Sequence, residues 1–94
     1  MAEVVAEITK EARLRCEAIG HGALERVEAL RVELEENPTL GRLAAVPGRP
    51  EIRTTLLEPQ GERPGITVTY ASDPAPPQPG TIRIVFVTPV LFTW

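Results

Sequence analysis

A chain of 94 residues with 43% hydrophobic residues and a formal net charge of −3 is the size of one small acidic domain, and it buries only about 60–65% of its unfolded surface, so its stability is marginal. It contains no run near the roughly 18 apolar residues of a membrane span and does not open on a basic region followed by an apolar core, so the cytoplasm is the expected location. One cysteine and one histidine allow neither an internal disulfide nor a zinc site, and no cofactor or metal is expected.

The first apolar segment, VVAEI, is ambiguous in period. It reads as a strand because two β-branched valines precede a plausible helix cap; the alternative is that residues 2–8 extend the first helix. That helix starts at Thr9, whose hydroxyl can accept from a free backbone N–H, with Glu11 in the first turn near the positive end of the dipole. Ile8, Ala12, Cys16 and Ile19 recur at helical spacing, with Arg13 and Glu17 outward, and Cys16 on that stripe is expected to be a small buried hydrophobe. Gly20 suits the positive φ of a helix end, and His21-Gly22 form a tight connection in which His21 caps or meets solvent.

In the second helix Ala23, Val27, Leu30 and Leu34 make one stripe with Leu24 beside them. Glu25, Arg26, Glu28, Arg31, Glu33 and Glu35 fall on the wet side. Asn37-Pro38 ends the helix, because proline cannot continue it and disfavours helical geometry in the residue before.

Beyond Pro50 the period becomes 2. Glu51 to Leu57 and Ile66 to Tyr70 read as strands, the latter with Ile66, Val68 and Tyr70 on one face and Thr67 and Thr69 on the other. Thr81 to Val87 is apolar on both faces towards its end, which suits a central strand. Between the last two strands DPAPPQPG implies a long, stiff hairpin loop of extended polyproline character; its Pro76-x-x-Pro79 also matches the motif of proline-binding domains.

This pattern resembles the RelE/ParE toxin superfamily of bacterial type II toxin–antitoxin systems. The resemblance rests on AEVVAEITKEA, ERVEALRVELEENPTLGRL, PEIRTTLL, and ITVTY followed by TIRIVFV, and spans nearly the whole chain as a single domain, residues 1–94. The expected fold is α+β: a helical hairpin packed on one face of a four-stranded, mainly antiparallel sheet in the order β-α-α-β-β-β. The resemblance implies a toxin whose partner is a cognate antitoxin and whose target is either DNA gyrase, as in the ParE branch, or the ribosome and its messenger RNA.

Ribonuclease members of the superfamily place basic residues on successive strands and a tyrosine or histidine near the C-terminus. Cations stabilise charge on the phosphate, and a titratable side chain moves the proton. Arg53 matches the first position. The second falls at uncharged Thr67, although Arg63 precedes that strand, and Arg83 completes the basic set that a ribonuclease with relocated catalytic residues would use. After the last strand TPVLFTW holds no arginine, histidine or tyrosine, and Trp94 can stack on a base without transferring a proton. Arg42 and Arg49, with the sheet arginines, either decorate strand ends or form a local basic patch for nucleic acid. Leu91, Phe92 and Trp94 either cover the core or stand open as a partner-binding patch. The expected action is therefore binding, as in gyrase inhibition, rather than cleavage; a non-toxic interaction domain is the further alternative.

Overall fold

The computed structural model describes residues 4–20, 22–43, 51–73 and 80–90. Along the chain these form β1 (Val5–Ile8), α1 (Lys10–Ile19), α2 (Ala23–Glu36), β2 (Arg42–Leu43), β3 (Ile52–Leu57), β4 (Gly65–Asp73) and β5 (Thr81–Val90).

Thr9 begins α1 as its chemistry requires. Its hydroxyl accepts from the Ala12 N–H at 3.2 Å and donates to the Ile84 carbonyl at 3.0 Å, so one side chain caps the helix and fastens it to β5. At the other end Gly20 takes φ +70°, and its N–H reaches the Cys16 carbonyl at 3.0 Å. α2 stops at Glu36, with Asn37 as its C-cap, immediately before Pro38.

Among the described residues the sheet has five strands, in the order β1-β5-β4-β3-β2. This corrects the expected four. The additional strand, β2, pairs antiparallel with β3 through only Arg42↔Thr54 and Leu43↔Arg53, and two residues carry no readable period. The sheet is also mixed, because β1 runs parallel to β5 over Val5↔Thr81 to Ile8↔Ile84, while the other neighbouring pairs are antiparallel. The helical hairpin carries the chain from β1 at one edge of the sheet to β2 at the other, and the antiparallel run from β2 to β5 brings it back beside β1. β1 itself is confirmed as a strand, and β5 is flanked on both sides as its apolar sequence predicts.

Two departures in β5 have local causes. The strand runs three residues past Val87 to Val90 and includes Pro89, which is tolerated because β1 ends opposite Ile84 and leaves that side of β5 without a strand neighbour among the described residues. Thr69 pairs with Phe86 but Tyr70 with Ile84, so Val85 is an extra residue, a β-bulge. The phase shift lets Ile82, Ile84 and Val87 all enter the core.

That core lies between the helices and one sheet face. Ala12 and Cys16 of α1 and Ala23, Val27, Leu30 and Leu34 of α2 meet Ile66, Val68, Tyr70, Ile82, Ile84 and Val87, all buried. Cys16 is a packed core residue, and burial raises its thiol pKa. Among the described residues no helix is long and apolar enough to cross a membrane.

The wet side of α2 is less solvated than its sequence suggests. Arg26 donates to the Pro64 and Glu58 carbonyls at 2.7 and 2.6 Å, pinning the β3–β4 connection, and Arg31 and Glu35 bond to the backbone of β1. These side chains satisfy backbone groups that the irregular segments and the sheet edge leave unpaired. The hydrogen bond that Arg31 donates to Glu28 holds its guanidinium pKa above the ordinary value.

Candidate functional site

Alternation along β4 puts Ile66, Val68, Tyr70 and Ser72 under the helices and turns Thr67, Thr69 and Ala71 to the opposite face, which no helix covers among the described residues. Cross-strand pairs share a face, so Leu56 and Thr88 flank Thr67, Thr54 and Phe86 flank Thr69, and Arg83 lies beside Ala71. Arg83 pairs with Glu7 of β1 at 2.9 Å in an exposed ion pair, which neutralises the charge of both. The open face is thus a row of hydroxyls interrupted by apolar side chains.

A hollow of about 660 Å³ opens on this face between β2, β3 and the end of β5. Gly41, Arg42, Thr54, Thr55, Leu56, Glu58, Thr67 and Val90 line it. Among the described residues its charged lining is one guanidinium, Arg42, and one carboxylate, Glu58. A smaller hollow of about 250 Å³, between α2 and the end of β3, shares Glu58 and is lined also by Arg26, Ala29, Leu30, Glu33, Leu57 and Gln60. Among the described residues no three His, Cys, Asp or Glu side chains are grouped to hold a metal ion.

The rim carrying Arg42 is fixed from below. Arg53 pairs with Tyr70 across the β3–β4 ladder and so points to the helix side, where its Nη1 donates to the Thr39 and Gly41 carbonyls at 3.2 and 3.4 Å. The Tyr70 hydroxyl donates to the Leu40 carbonyl. Gly41, at φ +88°, passes so close that a Cβ there would stand 2.6 Å from the Thr54 carbonyl oxygen and against the Tyr70 hydroxyl.

Burial pushes the Tyr70 phenol up to about 12, against a lowering field from Arg53 and with a smaller raising contribution from Glu33. Its folded value therefore lies above the ordinary value near 10, so its contribution to stability is complete below about pH 10 and is lost as pH rises through about 12. Urea unfolding across that window is expected to show a loss of roughly 2–3 kcal/mol that Tyr70→Phe removes. An identical alkaline slope in both proteins would contradict the buried, neutral phenol.

The arginines singled out in the sequence are dispersed. Arg53 supports the loop beneath the sheet, and Arg83 is paired with Glu7 on the open face. Arg63 sits in the β3–β4 turn with its guanidinium 3.4 Å from where a Cβ on Gly22 would lie. It precedes the Gly65 end of β4 whereas Arg83 pairs with Ala71, six residues along, which separates them by about 20 Å. Among the described candidates Arg42 reaches the hollow. His21, Arg49, Leu91, Phe92 and Trp94, and most of the proline-rich loop, lie outside the described residues. Glu58 was not evident as a lining residue from sequence, because it follows the last alternating position of β3 and only the fold turns it toward the hollow.

No family model matches this sequence, and no curated protein matches it. Among solved structures the chain is similar to the Escherichia coli toxin RelE, in a double arginine-to-alanine mutant in the free state. The TM-score is 0.65 at 16% identity, covering 95% of this chain and 84% of that one. The chain therefore has the RelE fold, as its pattern of elements implied.

Proposed function

We propose that this chain is the toxin of a toxin–antitoxin pair and that it acts by binding its target through the open sheet face, as in gyrase inhibition, rather than by cleavage. The fold supports the first half of this reading. The second half rests on the chemistry of the open face. Phosphodiester cleavage needs cations converging on one phosphate and a side chain that exchanges a proton near neutral pH. Among the described residues Arg42 is the one cation that lines the hollow, Arg83 is already paired, and threonine hydroxyls do not titrate in that range. A face of hydroxyls and half-exposed apolar groups instead suits contact with another protein, the antitoxin or the target.

Glu58 favours a second reading, since a carboxylate and a guanidinium line one hollow and together supply a base and a phosphate ligand. Expression of the chain alone in a bacterial host separates the two. Growth arrest with intact messenger RNA, loss of gyrase supercoiling in extracts, and relief by a co-expressed antitoxin from the neighbouring gene are expected. Arrest with RNA loss that Arg42→Ala or Glu58→Gln abolishes would replace the binding reading with the ribonuclease. Unimpaired growth would replace both with a non-toxic interaction domain.

A further inference from the structure

Among the described residues β1 ends the sheet, and a strand at a sheet edge exposes backbone groups that a second chain can pair with. Val5 bonds inward, its N–H to the Gly80 carbonyl at 3.0 Å, and the Thr9 N–H bonds inward to Ile84 at 3.1 Å. By alternation Ala6, in the middle of this four-residue strand, turns its N–H and C=O outward. Both are occupied. The Ala6 N–H donates to Glu35 Oε2 at 2.9 Å, and Arg31 Nη1 donates to the Ala6 carbonyl at 3.1 Å. One donor and one acceptor on a single residue are the two bonds that a hydrogen-bonded partner in an antiparallel strand would make.

Neither side chain is there by chance of rotamer. Arg31 lies 3.6 Å from Glu35 and is held from behind by Glu28 at 2.8 Å, which in turn stands 3.9 Å from Arg13 of α1. A chain of alternating charges therefore runs from α1 across α2 and ends on the backbone of β1. Other parts of the sheet edges are blunted by other means: Arg15 donates to the Val87 carbonyl at 2.9 Å, Pro89 has no N–H, and β2 is two residues long.

We infer that Arg31 and Glu35 are a side-chain lock on the outer edge of β1, standing in for a sixth strand and keeping the sheet from extending into a second copy of this chain. The lock does not depend on the proposed toxin activity. Removing it exposes the Ala6 N–H and C=O beside Val5, a half-exposed β-branched side chain that favours strand pairing.

The test is the solution mass of the Arg31→Ala/Glu35→Ala double variant over a range of protein concentration. A folded variant is expected to double in apparent mass as concentration rises, relative to the wild type. Arg83→Ala, which breaks the open-face ion pair without freeing the edge, is expected to leave the mass unchanged. A folded double variant whose mass follows the wild type throughout would overturn the inference, as would equal association of the Arg83→Ala control. Should the double variant not fold, amide exchange in the wild type decides: protection of the Ala6 N–H by at least about tenfold over an unstructured peptide supports the lock, and exchange at the peptide rate overturns it.

Discussion

Leu34→Ala is expected to lower the unfolding free energy by about 2–5 kcal/mol, the usual range for a fully buried leucine that leaves a cavity. Leu34 is completely buried in the layer between α2 and the sheet, in one cluster with Val27, Tyr70, Ile82 and Ile84. A domain of this size has only about 5–15 kcal/mol in total, so the variant stands near the edge of folding. The check is a urea midpoint at unchanged slope, compared with Leu14→Ala on α1. Leu14 is 54% exposed, and its truncation is expected to cost less than about 0.5 kcal/mol. Equal losses at the two positions would mean that α2 does not pack as described.

Gly41→Ala is expected to destabilise the fold by about 2–4 kcal/mol, combining the cost of a positive φ in a residue with a Cβ and the overlap that the Cβ creates. Relaxing the overlap means moving the Thr54 carbonyl or the Tyr70 hydroxyl, and both are fixed, one in β3 and the other by its bond to Leu40. The expected readout is a lowered urea midpoint together with accelerated amide exchange in β2 and at the start of β3. Because Arg42 is the next residue and lines the open-face hollow, the substitution also displaces the cation of the candidate site. A stability equal to wild type would show that the 37–41 loop is not held against the sheet. It would also remove the support that Arg53 and Tyr70 give to the rim.

Legibility of the site differs from residue to residue for a common reason. Arg42 was readable as a basic residue near the helix exit, and the fold places it on the hollow. Arg53 matches a phosphate position by sequence because it lies on the strand after the helices. Its register opposite Tyr70 turns it instead to the helix side, where the carbonyls of Thr39 and Gly41 take its charge. A strand position fixes the face of a side chain only once the pairing register is known, and a one-residue slip reverses it. Arg26 and Arg31 were assigned to solvent for a similar reason: helical spacing distinguishes an inward stripe from an outward one, but not which unpaired carbonyls will lie within reach of a long side chain.

By itself the sequence determined the two helices and the three strands that follow Pro50, where α1 and α2 begin and end, and which stripe of each is buried; it left the first apolar segment open between strand and helix. Those properties depend on near neighbours: a hydroxyl at Thr9, a proline at 38, and apolar spacing of 3.6 or 2 residues. Only the tertiary structure decided that β1 lies parallel to β5, that two residues at Arg42–Leu43 join the sheet, that Val85 bulges, and that Glu58 shares a hollow with Arg42. Each of these depends on groups far apart in the chain. The backbone hydrogen bonds and the space between such groups are settled when the layers close, and no local pattern of side chains encodes them.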